Sequence, residues 1–434
     1  MRVYLDSIGC RLNQSEIETY ARQFHSAGHT LVSSVQEADL MVLNTCAVTA
    51  SAAADSRKKV RQAQRAGVKD IVLTGCWSDL AAGEAASMRG VSQVVPNQRK
   101  DELVPALLQI QIDEFDFDPV ERVPVPGSRN KTRAFIKAQD GCDKHCTFCV
   151  TTLARGPGRS RPAKNVLADI QAALASGAQE VVLTGVHLGS WGQDFERPQH
   201  LKDLVQSTLD LRELPRLRLS SLEPWDLDSD FFDLWQDPRL CRHLHLPLQS
   251  GSAATLRRMA RNTTPVKFAA LVQAARKRIP DVAISTDIIV GFPGESEAEF
   301  KESLDFVRRM QFADAHIFTY SERPGTAAAT MPNPVHNATR KQRSAAMRAL
   351  VAESAATYRK RFLGAQMDVL WESADPLDEA SWRLTGLTDN YLRVESATEQ
   401  ARWNEITPVK LTGLTPNGLR GSLQPAGAAI WFKN

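Results

Sequence analysis

The sequence predicts an α/β protein in three parts: an N-terminal parallel sheet, a central partial (β/α)6 barrel and a small all-β barrel at the C-terminus. Three observations carry this expectation. Short aliphatic or β-branched runs alternate with segments of helical apolar spacing through residues 1–112. The same alternation resumes near residue 132 and continues through six strand–helix units. Beyond residue 364 it gives way to short alternating stretches separated by turn residues. A chain of 434 residues has room for roughly three domains of about 150 residues.

In the N-terminal part, RVYLD at 2–6, DLMVL at 39–43 and DIVLT at 70–74 read as strands, and 14–27 and 50–65 carry helical spacing between them. Repeated strand–helix units of this kind build a Rossmann-like parallel sheet. Residues 113–131, DEFDFDPVERVPVPGSRNK, combine three prolines with alternating charge and little periodicity, the texture of a linker. From 132 to 364, FIKAQ, EVVLTG, RLRLSS, RHLHLPL, VAISTDIIVG and AHIFTY read as the strands of the partial barrel, whose functional groups belong on the loops after the strands. A basic helical stretch from Arg340 to Arg361 leads into residues 365–434, where MDVLWES, YLRVES and PVKLTGL suggest a barrel of the oligonucleotide-binding type.

Composition narrows the function. With 43% hydrophobic and 24% charged residues and no apolar run of 18, the chain has no candidate membrane span. Its start, MRVYLDSIGC, lacks the features of an export signal, so a cytoplasmic location is expected. Lys and Arg total 53 against 50 Asp and Glu, a balance that confines any nucleic-acid contact to local patches. Seven cysteines, an odd number in such a chain, favour metal ligation or catalysis over a disulfide framework.

Cys142, Cys146 and Cys149 stand in GCDKHCTFCV, directly after the first barrel strand, where a parallel barrel places its chemistry. Three thiolates on a four-iron cluster leave one iron without a protein ligand, open to a small chelating substrate. A zinc ion completed by His145 is the alternative, though ligands at adjacent positions of one tight loop would strain it. Cys10, Cys46 and Cys76 each follow a predicted strand, and the carboxyl ends of neighbouring parallel strands lie together, so these three would converge on one sheet edge. They could also be small buried hydrophobes; the sharper reading is a second three-thiolate cluster with an open iron.

The C-x3-C-x2-C spacing with Phe148 before the last cysteine resembles the signature of the radical S-adenosylmethionine superfamily. SIGCRLNQSEIE, LNTCAVTASA and LTGCW further resemble the three N-terminal motifs of the methylthiotransferase family, over nearly the whole chain. The resemblance implies two [4Fe-4S] clusters, held by Cys142, Cys146 and Cys149 and by Cys10, Cys46 and Cys76. It implies two S-adenosylmethionine molecules, one giving a methyl group and one a 5′-deoxyadenosyl radical, so that C–H is replaced by C–S–CH3. It also implies an electron donor and a sulfur source outside the chain, and a C-terminal TRAM-like RNA-binding barrel. NTCAVT, QDGCDKHCTFC, ARGPGRSR and TGVHLGSWGQD look most like the branch that acts on N6-threonylcarbamoyladenosine beside the tRNA anticodon. The other branches act on N6-isopentenyladenosine in tRNA and on an aspartate of a ribosomal protein. A metal-containing RNA-binding protein without catalysis is the rival from another class. Thr152 stands where the family usually has proline, which predicts a less rigid loop after the cluster. Cys241 matches no motif and is expected in the core.

Around the cofactor, Gly185 and Gly291 allow close backbone approach at strand ends, and by resemblance segment 183–185 meets the amino end of S-adenosylmethionine. Glu223 and Asp287 are expected to reach its amino or ribose groups, with helix caps or structural ion pairs as the plain alternative. Arg155, Arg159, Arg161 and Lys164 are expected to bind RNA phosphate, joined by Arg340, Lys341, Arg343, Arg359, Lys360 and Arg361 on the approach to the C-terminal barrel. Trp371, Trp382, Tyr391 and Trp403 could stack on bases or fill that barrel's core.

Overall fold

The structure, a computed structural model, describes residues 1–112, 115 and 132–423. The predicted linker at 113–131, Phe115 apart, and the end of the chain at 424–434 lie outside the described residues.

The N-terminal sheet holds β1 (Arg2–Ser7), β2 (Thr30–Leu31), β3 (Leu40–Thr45), β4 (Asp70–Gly75) and β5 (Val91–Val94), all parallel, in the order β2-β1-β3-β4-β5. The central strand β3 is buried along its whole length, because helices cover both faces. Val3, Leu5, Val42 and Val72 pack with Ile17, Tyr20 and Phe24 of the helix Arg11–Ser26 on one side. On the other, Met41, Leu43, Ile71 and Leu73 pack with Val60 and Ala63 of the helix Ala50–Arg65. The register pairs Ser7 with Asn44 and Thr45 with Gly75, so the carboxyl ends of β1, β3 and β4 finish at one edge.

The central part begins with β6 (Arg133–Lys137). A two-stranded antiparallel ribbon, β7 (Gln139–Asp140) and β8 (Arg159–Ser160), brackets the cysteine loop. β9 (Glu180–Thr184), β10 (Leu217–Leu219), β11 (His243–His245), β12 (Ala283–Val290) and β13 (Asp314–Thr319) follow. They form two parallel sheets, β6-β9-β10 and β11-β12-β13, bridged at Leu217–Leu240 and Ser221–His245. The result is the expected partial six-stranded barrel. Along each strand, alternate residues such as Ile136, Leu183, Leu244 and Ile288 join the main core beneath the helices. Their neighbours, among them Glu180, Arg218, His243, Asp287 and His316, belong to the opposite, concave face.

β14 (Gln366–Pro376), β15 (Trp382–Thr388), β16 (Arg393–Thr398), β17 (Ile406–Thr415) and β18 (Gly418–Leu423) close a barrel in the order β14-β15-β16-β18-β17, with β16 and β18 parallel. This is the oligonucleotide-binding arrangement expected from the sequence. Its core takes Trp371, whose indole N–H donates to Thr407 Oγ1 at 2.8 Å, and Trp382 packs against it. The barrel caps the amino ends of the central strands. Arg218 donates to the carbonyls of Thr388 and Asp389, Arg242 pairs with Asp389, and Tyr391 stacks on His243 with ring centroids 4.4 Å apart.

A buried ionic cluster joins the N-terminal sheet to the central barrel. Arg155, 1% exposed, donates to Glu16 Oε1 at 3.1 Å, Asp140 Oδ1 at 2.8 Å and Asn13 Oδ1 at 2.6 Å. Lys100, with no exposure, lies 2.6 Å from Glu16 Oε1 and 2.5 Å from Asp140 Oδ2, and Lys137 pairs with Asp101 at 2.6 Å. Three cations thus meet three carboxylates, and each carboxylate has a cation beside it. Burial pushes the Glu16 and Asp140 carboxyls up, but Arg155, Lys100 and Lys137 together outweigh it and hold both well below the ordinary carboxylate range. Their stabilisation is therefore complete above the ordinary carboxylate range and is lost as pH falls through their depressed values. Lys100→Met should leave two carboxylates short of a partner and lower stability by about 3–5 kcal/mol in urea unfolding at pH 7. A loss below about 1 kcal/mol would remove the cluster from the set of interactions holding these two parts together.

Candidate functional site

Cys10 occupies the position before the first turn of the helix Arg11–Ser26, where Ser, Asn or Asp would use its side chain as a cap. Its thiol makes no cap hydrogen bond and instead donates to Asn13 Oδ1 at 3.5 Å. Cys46 and Cys76 follow Thr45 and Gly75, which are register partners, so the two cysteines leave adjacent strands side by side. Two glycines make this crowding possible. A Cβ on Gly9 (φ +102°) would stand 2.5 Å from Cys46 Sγ, and one on Gly75 (φ +96°) would stand 2.4 Å from the Thr45 carbonyl oxygen. Asn13 fixes the edge from behind, its amide donating to the carbonyls of Ile8 at 2.7 Å and Thr45 at 3.0 Å.

Cys10 is exposed, whereas Cys46 and Cys76 are buried. Burial pushes both buried thiols up, Cys76 to about 11, while the neighbouring Arg155 charge acts to lower them. Cys10 acts electrostatically on Cys46, and Cys10 and Cys46 both act on Cys76. The cysteines that lie far apart in sequence are therefore brought together, as strand-end placement predicts.

Cys142, Cys146 and Cys149 lie on the loop between β7 and β8, at the carboxyl end of the barrel strands. The Lys144 backbone N–H points to Cys142 Sγ at 3.4 Å, and Cys142 Sγ lies 3.7 Å from His187 Nδ1. His187 Nε2 is 2.6 Å from Asp226 Oδ2. Arg261 donates to Cys146 Sγ at 3.6 Å and to both oxygens of Glu223 at 3.2 and 2.6 Å. Burial raises the Cys146 thiol and the Arg261 charge opposes that rise. Burial likewise lowers His187, but hydrogen bonding to Asp226 and Cys142 carries it up to about 9. N–H donors and cations around sulfur are what thiolate ligands of an iron–sulfur cluster require, so this donor set fits the group. His145, the fourth ligand of the zinc alternative, is exposed.

Several sequence expectations are corrected here. Arg155 does not face RNA: it is sealed in the ionic cluster, because its helix Thr151–Arg155 runs from the barrel loop into the N-terminal sheet. Arg161 is held by Asp169 and the Lys137 carbonyl. Arg340 donates to the Val335 and Tyr320 carbonyls, and Arg343 is buried against Glu295. Arg159 and Lys164 keep side chains without an ion pair among the described residues, as an RNA contact needs.

Glu223 is engaged by Arg261, and Asp287 lies 3.3 Å from His245, so both carry structural partners at the site. Space at Gly185 is taken by Gln139 and at Gly291 by Arg340, so neighbouring side chains provide the close approach at both glycines. Gln139 ties the site together, donating to the Gly141 carbonyl and accepting from the His187 N–H, both at 2.8 Å. The Thr152 hydroxyl donates to the Lys144 carbonyl at 3.2 Å, which anchors the loop that loss of proline was expected to loosen. Cys241 is a core residue, its thiol raised to about 12 by burial. Sequence reasoning missed His187, Asp226 and Arg261; His187 lay within the TGVHLGSWGQD segment, whereas nothing local marked Arg261.

The chain matches the family model described as Uncharacterized protein family UPF0004 over residues 2–95 and that of the Radical SAM superfamily over residues 136–307. It is 32% identical to the Threonylcarbamoyladenosine tRNA methylthiotransferase MtaB of Bacillus subtilis, over 94% of this chain and 93% of that protein. It is 34% identical to the protein of the same description from Thermotoga maritima, over 96% of each. A tRNA-2-methylthio-N(6)-dimethylallyladenosine synthase of Acidothermus cellulolyticus is 33% identical, over 95% of this chain and 86% of that protein. Among solved structures, the radical S-adenosylmethionine methyltransferase TsrM from Kitasatospora setae shares the fold, with a TM-score of 0.57, 16% identity and coverage of 76% and 77%.

Gly75→Ala should place a methyl group against the Thr45 backbone in a left-handed conformation and lower stability by about 2–4 kcal/mol, measured by urea unfolding. A change under about 0.5 kcal/mol would mean that the edge carrying Cys46 and Cys76 is looser than its geometry indicates.

Proposed function

The chain belongs to the methylthiotransferase family of radical S-adenosylmethionine enzymes, and we propose that it methylthiolates C2 of N6-threonylcarbamoyladenosine next to the tRNA anticodon, using two [4Fe-4S] clusters. The observation that carries this reading is the convergence of Cys10, Cys46 and Cys76 on a sheet edge joined, through Arg155, to the barrel loop of Cys142, Cys146 and Cys149. Bound there, the clusters and S-adenosylmethionine would supply a methyl group and, with an electron from an outside donor, a 5′-deoxyadenosyl radical, the sulfur coming from an outside source.

The chain's own residues position and protect. Lys144, His187 and Arg261 hold Cys142 and Cys146 by donors aimed at sulfur. Asn13 sets the direction of Cys10 and of Arg155 with one carboxamide oxygen. Tyr391, Arg218 and their partners pack over the amino end of the barrel, opposite the rim where the cysteine loop lies. Arg159, Lys164, Lys341 and Lys360 are left for tRNA phosphate, and the half-exposed Trp403 for a base contact. By this reading residues 1–112 carry the second cluster, 132–364 the radical chemistry and the C-terminal barrel from 365 the RNA contact. No helix among the described residues is long and apolar enough to cross a membrane.

The second reading is the same reaction on the dimethylallyl-bearing adenosine, favoured by relatives of that description at 33% identity. Nucleoside analysis separates the two. The 2-methylthio derivative of N6-threonylcarbamoyladenosine should disappear from the tRNA of cells lacking the gene, and its persistence would reject the proposed substrate. With purified protein, Cys142→Ala should abolish reductive formation of 5′-deoxyadenosine. Cys10→Ala should leave that formation partly intact and stop thiolation; equal loss of both activities in folded Cys10→Ala protein would contradict separate roles for the two triads.

A further inference from the structure

On the concave face of the barrel three imidazoles stand in a row. His243 Nε2 and His245 Nδ1 lie 3.0 and 2.9 Å from the same Ser285 hydroxyl oxygen, and His245 Nε2 lies 3.3 Å from Asp287 Oδ2. His243 is fixed from below by its stack on Tyr391. The next ring, His316, is the register partner of Asp287, with its centroid 5.8 Å from that of His245. Unlike the other two it is exposed and makes no side-chain hydrogen bond or ion pair among the described residues. Phe318, two residues on along β13 and so on the same face, has its ring 6.4 Å from that of His316 and is 40% exposed. Of the carboxylates on this face, Glu180 is paired with Arg218 and Asp287 with His245, while exposed Asp314, two residues before His316, accepts from the Ala315 N–H.

We propose that His316, backed by His245, is the subsite that takes the polar N6 substituent of the target adenosine, while Phe318 offers an apolar plate to the purine ring. The inference rests on the threonylcarbamoyladenosine reading. In a purine, C2 and C6 flank N1 on one edge of the six-membered ring, so a base presenting C2 at the rim carries its N6 substituent within a ring's width of it. A carbamoyl-linked threonine brings a carboxylate and a hydroxyl, both able to pair with imidazole N–H groups. A dimethylallyl group has no polar atom, and seating it here would take the His316 imidazole out of water unpaired, the arrangement by which a polar site rejects an apolar analogue. His316 is then a residue that determines substrate choice through binding.

The test uses the anaerobically reconstituted enzyme and anticodon stem-loop RNAs that differ only in carrying threonylcarbamoyladenosine, dimethylallyladenosine or adenosine beside the anticodon. Affinity is read by fluorescence anisotropy. Wild type should prefer the threonylcarbamoyl RNA over the unmodified one. His316→Ala should lower that preference by about tenfold while leaving affinity for the unmodified RNA unchanged, and His316→Gln should restore part of it. A His316→Ala protein that keeps the wild-type ratio overturns the subsite. A wild type that binds and modifies the dimethylallyl RNA and not the threonylcarbamoyl RNA overturns the functional reading itself, whatever the variants do.

Discussion

A guanidinium sealed from water must find acceptors for its N–H groups, and the acceptors that Arg155 finds determine how the N-terminal sheet meets the barrel. Glu16 and Asn13 come from the first helix, Asp140 from the ribbon that begins the barrel's cysteine loop, and Lys100 closes the arrangement from beyond the last strand of the sheet. Buried ion clusters recover little net free energy, because desolvation consumes most of the Coulombic gain. What this one contributes is geometry. Arg155 begins six residues after Cys149 and ends beside Cys76, so the same side chain that satisfies Glu16 also sets how the two thiol triads stand toward one another.

The two triads obey one rule. Parallel strands bring residues distant in sequence to a common edge at their carboxyl ends, and both groups of cysteines sit there, one on an open sheet and one on a partial barrel. The opposite end of the barrel is covered by the C-terminal β-barrel, whose backbone carbonyls accept from Arg218 and whose Tyr391 stacks on His243. One end is left for chemistry and the other is turned over to structure.

Most strands of the first two parts were legible because each is a run of apolar residues followed by a turn or a cysteine, whereas Trp382–Thr388 and Gly418–Leu423 of the C-terminal barrel were not named. The two-residue strand Thr30–Leu31 and the polar Val91–Val94 were not, since neither carries enough periodicity to stand out. The six cysteines proposed as cluster ligands could be picked out from spacing and strand-end position, and the closed C-terminal barrel from its alternating stretches. The role of Arg155 could not: its partner Glu16 lies 139 residues away, and in sequence it is the first member of a basic run that reads as a phosphate contact. Arg261 and the imidazole row were hidden for the same reason, because long-range pairing and the choice of strand face emerge only once the barrel is assembled.

The central claim is that Cys10, Cys46 and Cys76 form a cluster site separate from that of Cys142, Cys146 and Cys149. Anomalous scattering at the iron edge from a crystal of the reconstituted enzyme, grown without oxygen, tests it most directly. Two iron peaks are predicted, one against each triad. A single peak at Cys142, Cys146 and Cys149, with Cys10, Cys46 and Cys76 bare, would contradict the account.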